Sequence, residues 1–226
     1  MSKGMAIYTA RLMTERLLGL VLYLLGAAWH IGPRAIIWFV TYFVAAILGA
    51  CLYRSNAELM DRRANIASTK DVTPVWDKVI LAAFWLLSYF VIYFAAGATV
   101  APSMPVGPST VLGIALYAAS TALTLWALRT NAYAESVSRV QNDRNQRVCS
   151  SGPYAFVRHP MYSAILMFCV AIVLVFPSIA VGAISLVVAI LIVVRTLLED
   201  AMLAEGLVGY DAYRRQVPSR LVPHVF

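Results

Sequence analysis

Charge is what this sequence has least of. Only 13% of its 226 residues are charged while 61% are apolar, and the mean hydropathy is +0.76. Soluble domains carry about 25% charged residues, so an ordinary water-soluble domain is excluded. Cysteine is scarce as well: Cys51, Cys149 and Cys169 form no C-x-x-C pair and two lie in apolar runs, which argues against a disulfide framework or a cysteine zinc site. Of the three histidines, His30 and His224 have no second ligand at metal spacing, and no metal is expected. Internal repeats and low-complexity stretches are absent.

What the chain does have is long apolar runs. Ala35–Tyr53, Val79–Val100 and Ser109–Leu128 carry no charge, and each is near the roughly 20 residues that cross a bilayer. A weaker run covers 12–31. Its start is interrupted by Glu15 and Arg16, expected at the headgroups, and Gly32-Pro33 turns it into the next span; we read it as a retained helix, not a signal peptide. Met161–Val194 is also uncharged and is broken by Pro177-Ser178. This predicts a hairpin of two helices, 161–176 and 178–198, whose shorter arm of 15 residues would reach only about 22 Å. The expected fold is an all-α integral membrane protein with about six transmembrane helices (12–31, 35–53, 79–100, 109–128, 161–176, 178–198). The last two form a short hairpin, and the whole chain, 1–226, makes one domain.

Basic residues test this map, because Lys and Arg collect on cytoplasmic segments. With both termini cytoplasmic, every one of the 18 basic residues except Arg34 falls on the inner side, and the loop from Ala101 to Pro108 has no charge. The net charge of +7 then reflects topology and contact with anionic lipid headgroups; nucleic acid is not an expected partner. The tail 201–226 has Leu203, Leu207, Tyr210, Tyr213, Val217 and Leu221 at spacings of three to four, the pattern of an interfacial amphipathic segment. Ser55-x-x-Glu58 has the form of a capping box opening a short helix from Asn56 to about Ala67.

Two polar clusters flank the hairpin: Gly152-Pro-Tyr-Ala-Phe-Val-Arg-His-Pro-Met-Tyr162 before it and Arg195-x-x-x-Glu199-Asp200 after it. Polar groups at the mouth of a membrane helix are costly without partners, so a ligand is the usual reason for them. Pro160 suits the first turn of a helix, which leaves His159 near the N-cap and puts backbone N–H groups toward the cytoplasm, where an anion is favoured. Arg195 and Glu199 lie four apart on one helix face, where a local ion pair is the plainest expectation. Taken singly, each motif has such a structural explanation; at opposite ends of one hairpin, on the same membrane side, they point to a joint site.

Gly152-Pro153-Tyr154, Arg158-His159-Pro160, Tyr162, Arg195-x-x-x-Glu199-Asp200, then Tyr210, Tyr213, Val217, Arg220-Leu221 and Pro223 resemble the isoprenylcysteine carboxyl methyltransferase family and its phospholipid methyltransferase relatives. The likeness runs from about Asn131 to the end, and more weakly to Asn56-Ala57-Glu58-Leu59 and Trp76-Asp77-Lys78. The resemblance implies S-adenosylmethionine bound at the cytoplasmic face and a lipophilic methyl acceptor arriving from the bilayer. It places the cofactor on Gln141, Cys149, Tyr154, Arg158, His159, Pro160, Met161, Tyr162 and Glu199. Arg195 takes the position that meets the substrate, with a two-pronged contact to a carboxylate, and His159 is a second catalytic candidate should an amine be the nucleophile. Carboxyl O-methylation of an isoprenylcysteine-type acceptor is the leading expectation and phospholipid amine N-methylation the alternative. Membrane sterol reductases, which use NADPH, share a similar hairpin and C-terminal pattern on longer chains. A non-enzymatic bundle leaves the four charged motif residues without a joint purpose.

Overall fold

The apolar runs become helices, and their packing decides what faces inward. The structure, a computed structural model, describes residues 3–52, 57–64 and 73–225. Among them there are helices and turns and no strand. The helices are α1 (Lys3–Gly26), α2 (Pro33–Leu52), α3 (Ala57–Ala64), α4 (Val75–Thr99), α5 (Pro108–Thr130), α6 (Pro160–Val175), α7 (Ile179–Gly206) and α8 (Tyr210–Gln216). Four of them, α2, α4, α5 and α7, are long and apolar enough to cross a membrane; α6 is apolar but shorter. The expected capping box at Ser55, the start at Asn56 and residues 65–67 lie outside the described residues.

Two expected boundaries move. The first helix starts at Lys3 and stops at Gly26, not 12–31, because the chain turns at Ala28 and Trp29, both with positive φ, before Pro33 opens α2. The hairpin is not symmetric: α6 has 16 residues, whereas α7 has 28 and runs beyond 198 to Gly206, about 42 Å at the helical rise. Charge at Glu199-Asp200 marks where that helix leaves the apolar zone, not where it ends. Its outer turn lies at Pro177, as the sequence pattern requires, and the Ser178 hydroxyl caps α7 by accepting from the Val181 N–H at 3.1 Å.

α1 is held tightly against the second half of α4. A Cβ added at Gly97 would sit 2.1 Å from the Tyr23 carbonyl oxygen, so only glycine permits this approach, the small-residue device of membrane helix pairs. Tyr23, Trp38, Tyr42, Tyr93, Tyr117 and Phe176 form a shared aromatic core contributed by α1, α2, α4, α5 and the hairpin. At the end of the bundle that carries the hairpin turn Arg34 donates from Nε to the Pro105 carbonyl at 2.7 Å and from Nη1 to the Val175 carbonyl at 3.1 Å, which ties the α4–α5 loop to the end of α6.

Arg16 departs from expectation. It does not extend to the headgroups but turns into the bundle, donating from Nε to the Tyr42 carbonyl (3.0 Å) and from Nη1 to the Leu12 carbonyl (3.1 Å), with its guanidinium 4.5 Å from the Tyr42 ring centre. A π-helical turn at Leu87–Val91 interrupts α4 on the same side, a device often found beside functional sites.

Candidate functional site

Between α5 and α6 the chain makes a long irregular excursion, residues 131–159, containing two 3-10 turns, Asn142–Arg144 and Gly152–Ala155. Gly152 has φ +57° and packs on Thr130, so a side chain there would be strained. A buried carboxylate of α4 pins the excursion to the bundle. Asp77, at the first turn of α4 and 0% exposed, accepts from Arg195 Nε (2.8 Å) and from the Ser138 backbone N–H (2.9 Å). Arg195 Nη2 donates to the Ser136 carbonyl at 3.0 Å and lies 3.3 Å from the Ser138 hydroxyl.

Arg195 therefore does not form the local ion pair with Glu199 that their spacing predicts. Its partner comes from 118 residues away. The Nε and Nη2 edge is occupied by protein, so the expected two-pronged contact to a substrate is reduced to what Nη1 can offer. Glu199 instead accepts hydrogen bonds on Oε2 from the Ser138 hydroxyl (2.8 Å) and the Tyr162 hydroxyl. No described donor reaches its Oε1, and the residue borders a cleft.

The neighbouring residue, Asp200, is the hub of a second network. It is 2% exposed and takes Nε and Nη2 of Arg158 in a fork, both at 2.8 Å, with the Tyr210 hydroxyl at 2.8 Å, Arg220 Nε at 3.1 Å and His159 Nε2 at 3.4 Å. Arg158 Nη1 donates to the carbonyls of Val217 and Pro218. The backbone N–H groups of Arg158 and His159 donate to Ser219 and Arg220 carbonyls at 3.0 and 2.9 Å. The chain beyond α8 is thereby laid across the start of α6. Arg158, expected on the cofactor, has four of its donor contacts on the protein and acts as the tail's anchor. His159 is the N-cap of α6, as its place before Pro160 predicts, and its ring stacks on Tyr162 at 5.6 Å.

These elements border a polar cleft. Gln141, Cys149, Tyr154, Arg158, His159, Met161, Tyr162 and Glu199 all line it; Pro160 does not, being the buried first residue of α6. Gln141 is buried, with its side-chain amide donating to the Tyr133 carbonyl at 2.7 Å, and Cys149 is a free thiol 3.7 Å from the Thr130 carbonyl. Tyr210 and Tyr213 border the cleft from α8, and the Tyr213 hydroxyl donates to the Tyr154 carbonyl at 2.7 Å. On the far wall Arg139 bridges Glu135 and Asp143. Those hydrogen bonds, to Glu135 first and then Asp143, raise its pKa above the ordinary arginine value, and Asp143 in turn is held below the usual carboxylate range. Burial, then the nearby Asp200, pushes Tyr210 up, so its hydroxyl stays a donor at neutral pH.

A second, mainly apolar cavity lies among α1, α2, α4, α5 and α6, with Arg195 from α7 on its wall. Glu135, Met161 and Tyr162 line both spaces. Sequence reasoning missed Asp77, Ser138 and Arg16 as site-forming residues, and gave Asp200 no role of its own within the Arg195-x-x-x-Glu199-Asp200 cluster. The charged triplet Trp76-Asp77-Lys78 was the one available signal for the first.

The molecule is thus a helical, membrane-type bundle whose polar cleft shares three wall residues with an apolar cavity. Residues 108–207, somewhat under half of the chain, match the phospholipid methyltransferase family, which the isoprenylcysteine-type resemblance is related to. The match spans α5, the 131–159 excursion, the hairpin and the Arg195–Asp200 cluster, and together with the four long apolar helices it supports a membrane methyltransferase. No curated protein matches the chain.

Proposed function

We propose that this protein transfers a methyl group from S-adenosylmethionine, bound in the polar cleft, to a lipophilic acceptor held in the apolar cavity. The observation that carries the reading is the shared wall: Glu135, Met161 and Tyr162 face both spaces. Glu199 Oε1 is the free acceptor for the cofactor's ammonium, and Tyr154, Tyr210 and Tyr213 offer aromatic surface to its adenosine. Transfer is an in-line displacement: the acceptor atom forms a bond to the methyl carbon as the carbon–sulfur bond breaks, leaving a neutral thioether. The protein's task is alignment and exclusion of water.

A carboxylate oxygen, as in an isoprenylcysteine-type acceptor, is the reading we favour. It arrives ionised and needs no base, and His159 lines the cleft but not the acceptor cavity. An amine acceptor, such as a phospholipid headgroup, needs a base, and Glu199, the other candidate, likewise lines the cleft and not the acceptor cavity. We further infer one domain with six crossings, the four long helices together with α1 and α6. Both termini and the cleft lie on the Lys/Arg-rich cytoplasmic side, and the segment 201–226 covers the bound cofactor.

Calorimetry on purified protein in detergent tests the reading. S-adenosylmethionine or its demethylated product should bind with near one-to-one stoichiometry. Binding of NADPH in its place would move the protein to the reductase class.

A further inference from the structure

Arg16 is a part-buried guanidinium inside an apolar bundle with no carboxylate among the described residues within ion-pair distance; its partners are two carbonyls, the Tyr42 ring and the Tyr117 hydroxyl. A charge at such depth is costly and marks a functional position by default. Arg16 lines the apolar cavity and lies ten residues before the end of α1, about 15 Å from the outer end of the bundle, whereas Arg195 lies about 24 Å along α7 from the same end. The two arginines therefore stand at different depths, and Arg16 is the one farther from the cleft.

Two further groups on the same cavity wall lack partners. The Ser88 hydroxyl, on the π-helical turn, is 3% exposed and has no hydrogen bond, and Arg11 Nη2 is buried without an acceptor while its Nε pairs with Glu15 at 2.9 Å. Buried donors without partners are rare in native proteins unless a ligand or water completes them. By the same measure Arg11 stands about 22 Å from the outer end, level with Arg195, and its charge is paired with Glu15, so Arg16 and Ser88 are the donors at the deeper level.

We propose that Arg16, with Ser88, forms an acid-group site inside the acceptor cavity. It holds a phosphate or carboxylate of the bound amphiphile about 9 Å deeper than Arg195, separate from the atom that is methylated. The inference rests on the methyltransferase reading only in naming the occupant as the acceptor. Both residues precede residue 108, outside the segment that matches the family.

Three single-chain probes test it, dodecyl phosphate, dodecanoate and dodecanol, titrated into the full chain in dodecyl maltoside and followed by tryptophan fluorescence; Trp85, 3.8 Å from the Arg11 guanidinium, lines the cavity. At least one anionic probe should bind about tenfold or more tightly than dodecanol, and the better one names the acid group as phosphate or carboxylate. Arg16→Gln should bring that ratio within about twofold, and Arg16→Lys should keep a ratio of about threefold or more. Ser88→Ala, which leaves the helix contacts intact, should weaken the better anionic probe by about threefold. No anionic preference in the native protein, a preference unchanged by Arg16→Gln, or equal loss in the Gln and Lys variants would overturn the proposal. S-adenosylmethionine binding measured on the same samples separates the two readings. An anionic preference without cofactor binding upholds the acid-group site and removes the methyltransferase; cofactor binding without the preference does the reverse.

Discussion

Asp200→Ala should destabilise the protein by about 3 to 5 kcal/mol, the cost of leaving a buried cation without its partner. The Arg158 and Asp200 side chains are 4% and 3% exposed and meet through two 2.8 Å contacts. Removing the carboxylate strands the guanidinium and also releases the Tyr210 hydroxyl and the contact to His159. Arg220→Ala removes a partner of the same carboxylate whose side chain is 34% exposed, and it should cost under about 1 kcal/mol. Unfolding titrations in mixed micelles measure both. Because the network ties the chain beyond Leu207 to the start of α6, Asp200→Ala should also open that chain to limited proteolysis while the helices remain intact. Equal, small effects of the two substitutions would show that the hub does not hold the tail.

Glu199→Gln should weaken cofactor binding by about tenfold to a hundredfold, since a hydrogen bond to a charged group contributes about 1.5 to 3 kcal/mol. Arg195 calls for a different substitution. Arg195→Ala would leave fully buried Asp77 unpaired and confound function with folding, so Arg195→Lys is the informative change. It keeps the charge beside Asp77 and removes the planar fork. We expect methyl transfer to fall by about tenfold or more with cofactor affinity within about threefold of the native value. Calorimetry paired with a methyl-transfer assay reads the split, and equal loss of cofactor affinity in both variants would contradict the division of roles.

The sequence revealed features that depend on neighbours along the chain and concealed those that depend on distant partners. The uncharged runs became α2, α4 and α5 because some 20 apolar residues fix a span without reference to anything else. Pro177 marked the hairpin turn and Pro160 the start of α6 for the same local reason. Six of the nine residues expected on the cofactor, Gln141, Cys149, Tyr154, Met161, Tyr162 and Glu199, line the cleft outside the tail's network. Pro160 is off it, Arg158 is committed to the tail, and His159 is partly engaged with Asp200 and Tyr210. Neither Asp77 with Arg195 nor Asp200 with Arg158 could be read from spacing, because the first pair spans 118 residues and the second 42. Arg16 was misplaced because position in the chain does not tell which face of α1 turns inward. α7 outran its apolar stretch because helix propagation tolerates charged residues once the backbone is already helical.

Hydrogen exchange with and without the demethylated cofactor bears most directly on the central claim, that the cleft beneath the tail is the cofactor site. A saturating ligand should slow exchange in residues 141–154 and 207–221, which border the cleft or close it, and leave the outer loop 101–107 unchanged. Unaltered exchange in both cleft segments, with the ligand bound, would contradict it.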